Sequence, residues 1–156
     1  MSSPYPISPF APSYYQGLPV APSGQTGYEP RPYTYIYNPP ALFGGGGGGN
    51  VAEVQKDAVA IDTDSDFLLL GWYLALFTGA FQIQLADSSG YLLQSGALNS
   101  GSISQSSAKP TVFVPSHAFP AGGKISIVDL LDLSGALNPT QIAFVGIKLF
   151  QARTSQ

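Results

Sequence analysis

The sequence contains no cysteine, so it can form neither disulfides nor thiolate metal sites. That suits folding in a reducing compartment. Charge is scarce as well. Charged residues make up 10% of the 156-residue chain, the net charge is −3, and lysine and arginine nowhere cluster. Affinity for a phosphate backbone comes largely from such clusters, so nucleic acid is not an expected partner. Long apolar runs are also missing. The best candidate, "FLLLGWYLALFTGAF" over residues 67–81, follows three aspartates and gives way to Gln82 and Gln84. A spanning helix needs about 20 apolar residues. The run reads as a pair of buried strands, and no membrane association is expected. The N-terminal "MSSPYPISPFAPSYY" has neither the basic patch nor the continuous apolar stretch of a secretory leader.

What the chain does contain divides at six consecutive glycines: Gly44, Gly45, Gly46, Gly47, Gly48 and Gly49. Ten of the fourteen prolines and seven of the nine tyrosines precede residue 51, with only Glu29 and Arg31 carrying charge there. The aliphatic residues and nearly all the charge follow. This predicts an extended Pro/Tyr-rich arm over 1–43, a polyglycine linker over 44–50, and one folded domain over 51–156. Glycine-rich chain has no preferred direction, so the linker lets the arm leave the domain at an angle its neighbours dictate. It does not read as a phosphate cradle. Asn50 and Val51 follow the glycines where a P-loop needs Lys and Ser/Thr, and Pro39 and Pro40 stand where a dinucleotide fingerprint needs a strand.

Each proline fixes its own φ and biases the preceding residue toward extended geometry, so the arm cannot be helical. Its aromatics set it apart from an ordinary linker. Tyr5, Phe10, Tyr14, Tyr15, Tyr28, Tyr33, Tyr35, Tyr37 and Phe43 are the expected anchors, because tyrosine combines apolar area with a hydroxyl at low entropic cost. Ordering 43 residues costs roughly 40–90 kcal/mol. At about 25 cal/mol per Å², that calls for contact over more than about 1,500 Å², and neighbouring subunits are the expected source. Residues 31–37, "RPYTYIY", have the alternation of an edge strand that could join a neighbour's sheet.

Beyond the glycines, period-2 alternation and turn residues give a series of short strands: 51–61, 66–77, 80–87, 91–95, 111–115, 124–133 and 140–150. Phe81, Ile83 and Leu85 share one face. In the last strand Ile142, Phe144, Gly146 and Lys148 oppose Gln141, Ala143, Val145, Ile147 and Leu149. Residues 95–109 read as a long loop too poor in hydrophobes to reach a core, and Pro115 as the end of its strand. A helix over 129–137 is weakened by Ser134 and Gly135. The predicted fold is all-β: an antiparallel, jelly-roll-like β-sandwich of six to eight strands with a long N-terminal arm. Apolar residues on both faces of 67–77 and 140–150 predict central strands covered on both sides, one side by partner subunits.

Few residues invite chemistry. His117 is the single histidine, in "PSHAFP", and reads as a turn or packing residue. Asp62, Asp64 and Asp66 resemble the opening of a calcium loop, but Phe67 and Tyr73 occupy the positions that need Gly and Glu. They read as a solvated strand entry. Asp129 and Asp132 lack the facing partner that glycoside hydrolysis needs. Trp72 and Tyr73 sit inside the most apolar run, where packing is the simpler role. No catalytic, cofactor-binding or metal-ligating residue is assigned.

The second half of the domain resembles small structural proteins of tailed bacteriophage virions. The likeness rests on a Pro-x-x-x-Phe-Pro-x-Gly-Gly turn at Pro115, Phe119, Pro120, Gly122 and Gly123. It continues in a closing strand with Gln141, Ile142, Phe144, Gly146, Lys148 and Phe150, and in a hairpin over 81–96. The resemblance implies a non-enzymatic β-sandwich in the virion, assembled in the host cytoplasm. Head decoration or cementing, as a minor capsid component, is the first role it suggests, and a neck or tail position the next. The implied partners are the major capsid protein, other virion proteins and further copies of the chain. A tethered receptor- or glycan-binding module is the alternative.

Overall fold

Side chains along a strand point alternately to opposite faces, and the pairing of strands decides which faces meet. The computed structural model describes residues 28–39, 53–76, 79–133 and 140–151. Within them lie β1 (Tyr28–Tyr37), β2 (Glu53–Ala60), β3 (Asp66–Leu76), β4 (Phe81–Ala86), β5 (Leu98–Asn99), β6 (Thr111–Phe119), β7 (Lys124–Asp132) and β8 (Gln141–Gln151). A 3-10 turn at Ser100–Ser102 follows β5. The strands form two four-stranded antiparallel sheets. The first has the order β1-β8-β3-β6 and the second β2-β7-β4-β5. The arrangement is sandwich-like. No helix among the described residues is long and apolar enough to cross a membrane.

The core lies between the sheets. Phe67, Leu69, Trp72, Ile142 and Phe144 of the first sheet meet Phe81, Ile83, Leu85, Ile125, Ile127 and Leu130 of the second. Trp72 packs against Phe113 and Phe144, with ring centroids 5.3 and 6.1 Å away. Gly146 faces this core because nothing larger fits. A Cβ there would stand 2.6 Å from the Phe67 ring and closer still to the Leu68 carbonyl. Gly122 has φ 73° in the turn between β6 and β7, a conformation glycine adopts without strain.

The structure departs from the sequence reading at several points. The first strand of the sandwich lies before the glycines. β1 pairs with β8 of its own chain, from Tyr28 opposite Gln151 to Tyr37 opposite Ile142, so the sandwich is not confined to 51–156. Residues 67–81 do not form a pair, because β3 and β4 belong to opposite sheets. Residues 91–95 contribute a single bridge, Leu92 to Ala86, rather than a strand. The loop over 95–109 contains β5 and sends Ile103 and Ser100 inward. There the Ser100 hydroxyl accepts from the Phe81 amide at 3.1 Å. β6 runs on through Pro115 to Phe119, which an edge strand tolerates where its register with β3 breaks between Leu69 and Gly71. A bulge opposite Gln84/Leu85 breaks the strict alternation of β7 and brings Leu130 into the core with Ile125 and Ile127. Residues 129–132 are strand, which removes the first half of the helix considered at 129–137.

Candidate functional site

The densest polar cluster among the described residues sits where β1 closes the sandwich. Tyr33, Tyr35 and Tyr37 fall two apart on β1, so they share one face, and that face turns inward. Tyr35 and Tyr37 are buried in the core, Tyr37 with 4% of its surface exposed, while Tyr33 lies at the rim. The Tyr37 hydroxyl donates to Asp57 Oδ2 of β2 at 2.8 Å. The Tyr35 hydroxyl donates to Asp62 Oδ2 at 3.2 Å and accepts from the Asp62 amide at 3.0 Å. Two tyrosines of the first sheet are thus bonded to the strand and turn that begin the second.

Lys148 completes the cluster from β8. It is 5% exposed, and its Nζ donates to Asp62 Oδ2 at 2.5 Å and to Asp64 Oδ1 at 3.2 Å. The same ammonium lies 4.2 Å from the centre of the Tyr33 ring, a cation–π contact. Burial pulls the Lys148 pKa down, but the hydrogen bonds to Asp62 and Asp64 outweigh it, and the net shift is upward. Burial is the main cause of the raised pKa of Tyr35 and of Tyr37, and the Asp57 carboxylate adds to it at Tyr37. Asp64 is held below the ordinary carboxylate value by the Ser65 hydroxyl first and by Lys148 second.

The aspartate run is therefore not a set of three solvated carboxylates. Asp62 and Asp64 receive a cation from the chain itself, and Asp66 accepts from the Ala121 amide at 2.9 Å. Among the described residues no group of three or more His, Asp or Glu side chains is arranged to hold a metal ion. The spacing of the aspartates was visible in the sequence, but their partner lies more than 80 residues away. Asp57 was not singled out at all, since nothing local distinguishes it from any charged residue on a strand.

His117 lies in β6 rather than in a loop. Its Nε2 is 3.5 Å from Asp87 Oδ2, and its ring meets Phe119 edge-on at 4.9 Å. Asp87 is occupied at its other oxygen. Oδ1 accepts from the Ser89 hydroxyl at 2.6 Å and from the amides of Ser89 and Tyr91, which lowers its pKa, the Ser89 hydroxyl being the first cause. The serine thus addresses the carboxylate and not the imidazole. That geometry caps a turn and does not activate a nucleophile.

The outer faces of the two sheets differ. Behind β3 and β8, away from the core, Leu68, Leu70, Ile147 and Leu149 form a second buried apolar cluster, with Val145 packed against it. On the second sheet the residues alternating with the core set include Gln82, Gln84 and Ser126. There the Gln82 amide bonds to Asn99 at 2.9 Å.

Of the expected anchors, Tyr35 and Tyr37 are built into the chain's own core, which differs from contact with a neighbour, and Tyr33 packs on Lys148. Tyr5, Phe10, Tyr14, Tyr15, Phe43 and Gly44 to Gly49 lie outside the described residues, as does the side chain of Tyr28. No protein-family model, curated protein or solved structure matches the chain.

Proposed function

We propose that the chain is a non-enzymatic structural subunit of a virus particle, a head-decoration or cementing protein of a tailed phage or a component of its neck or tail. The observation that carries this reading is the asymmetry of the sandwich. The second sheet is apolar toward the core and polar outside, as a water-facing sheet should be. The first sheet is apolar on both faces, with Leu68, Leu70, Ile147 and Leu149 behind it. That cluster is already buried within the chain, and on the edge strands of the same sheet Ile36, Val112 and Val114 stay exposed, apolar surface that suits a module seated against other protein.

The strand orders β1-β8-β3-β6 and β2-β7-β4-β5 support reading the sandwich as a jelly roll, an architecture that recurs in capsid and lectin domains. A fold shared so widely does not choose a function by itself. It does agree with the virion likeness carried by Phe119, Pro120, Gly122, Gly123 and the closing strand. In this reading residues 1–27, which contain no charged side chain, extend the arm beyond β1 onto neighbouring capsid or virion proteins.

The test is incorporation. Tagged full-length chain and a version lacking residues 1–27 are supplied during particle assembly, and copies per purified particle are counted. Full-length chain at a fixed stoichiometry supports the reading, with the truncated chain present in smaller numbers. Full-length chain absent from particles overturns it. A second reading, a glycan-binding module, draws on exposed Tyr91 beside the Asp87–Ser89 turn. The 96–109 loop offers no aromatic platform, since it has no Phe, Trp or Tyr. Loss of glycan binding in Y91A would favour this second reading.

A further inference from the structure

We propose that β1 is exchanged between copies of this chain, so that in the assembled protein the β1 of one copy occupies the β8 edge of the next. Among the described residues β1 is an edge strand whose only ladder partner is β8. Its side-chain ties are the bonds from Tyr35 and Tyr37 to Asp62 and Asp57, the packing of those two rings in the core, and the cation–π contacts of Tyr33 with Lys148 and Arg31 with Phe150. All of these are made by residues 28–37 against a template formed by the rest of the sandwich. A second copy presents the same template. A sandwich without β1 would expose the β8 edge, remove the tyrosine hydroxyls from Asp57 and Asp62 and uncover Lys148 where Tyr33 lies, so each copy must take a β1 from some source.

The connection determines which sources are within reach. Tyr37 is bonded to Asp57, so the two strands lie close, and connections in compact domains usually take about 2–6 residues. Here residues 38–52 intervene and include all six glycines. Fully extended, 15 residues reach about 50 Å, against the roughly 10 Å that separates packed sheets. The surplus adds little to the cost of closing the loop within one chain, because that cost grows only with the logarithm of length. It brings the β8 edge of an adjacent copy within range. Closed and exchanged forms make the same contacts, so the balance follows local concentration. An isolated chain closes on itself, and crowded copies exchange.

The inference draws on the particle reading only for that crowding, and it is tested on purified protein. The natural chain has no cysteine, and Thr34 stands opposite Val145 across the β1–β8 ladder. Paired antiparallel positions have Cα separations of about 4.5–5.5 Å, within the range a disulfide spans. Full-length T34C and V145C chains are refolded together and oxidised, once at about 1 mM, near the effective concentration of a short flexible linker, and once at about 1 µM, far below it. Exchange predicts a T34C–V145C covalent heterodimer at the higher concentration and at least about tenfold less at the lower.

The proposal is overturned if the T34C/V145C double variant closes its bridge within one chain at both concentrations and no heterodimer forms. Bridges found only between like positions count against it equally. Ile36 and Ala143 form a second facing pair, so I36C and A143C repeat the test if the first variants fold poorly. A negative result here leaves the particle reading standing, since that is read separately from incorporation.

Discussion

The hydroxyl of Tyr37, on β1, donates to Asp57 of β2 at 2.8 Å and so ties the edge of one sheet to the edge of the other. Y37F keeps the ring in the core and removes only this bond. It should cost about 1 kcal/mol, rising toward 2 because the acceptor is charged. Y37A also loses the buried ring and should cost about 3–5 kcal/mol. Urea unfolding of the two variants measures the difference. Equal losses would mean that the hydroxyl, not the ring, holds β1.

Stability should fall in alkali. Tyr35, Tyr37 and Lys148 all have folded-state pKa values above their ordinary ones, 10.0 for tyrosine and 10.5 for lysine. Each group therefore contributes fully below its ordinary value, and the contribution is lost as pH rises from there toward the folded value. Thermal unfolding between pH 8 and 12 should show a declining midpoint above about pH 10, with a shallower decline in Y37F. A midpoint indifferent to pH in that window would contradict the burial of the two tyrosines and the bonding of Lys148 to Asp62 and Asp64.

Replacing Lys148 by methionine tests the internal cation. The aliphatic stem is kept, while the bonds to Asp62 and Asp64 and the contact with Tyr33 are lost. Because both aspartates are half exposed, water re-solvates them, and the cost should be about 1–3 kcal/mol rather than that of a fully buried pair. Denaturant midpoints at low and high salt check this. The wild-type advantage should persist at high salt, since a buried ammonium is poorly screened.

G146A should be far more damaging than its size suggests. The added Cβ would press on the Phe67 ring and the Leu68 carbonyl of the neighbouring strand, and only the ring can yield. A loss of about 3 kcal/mol or more is expected. Pairing it with F67L should recover part of the loss, measured by the same unfolding curves.

Truncation should have a sharp boundary. A chain beginning at residue 28 retains β1 and should keep a cooperative unfolding transition. A chain beginning at residue 44 loses Tyr35 and Tyr37, each contributing roughly 1.5–3 kcal/mol through burial, and uncovers the β8 edge. Calorimetry should find no cooperative transition there, or one at a much lower temperature.

How far each feature could be read follows from where its cause lies. The faces of β4 and β8 were legible because Phe81-x-Ile83-x-Leu85 and Ile142-x-Phe144 carry their own alternation. The Leu130 bulge was not, because it depends on how β7 registers against β4. Pro115 looked like a strand end by local rules, yet an edge position lets the strand pass through it. At the β1 seam the tyrosine spacing was plain, while the identity of its partners, Asp57 and Asp62, was not.

Local sterics and period-2 patterning act within a few residues. The sequence alone therefore determined that this is an antiparallel all-β chain with a proline-rich N-terminal third, no thiol chemistry and little charge. Strand pairing acts between residues as far apart as Tyr28 and Gln151. Only the tertiary structure could decide that a strand upstream of the glycines completes the sandwich, that β3 and β4 part into opposite sheets, and that Lys148 is the cation of the Asp62–Asp64 turn. A strand's pattern says which of its faces is apolar, and only the assembled sheets say what that face meets.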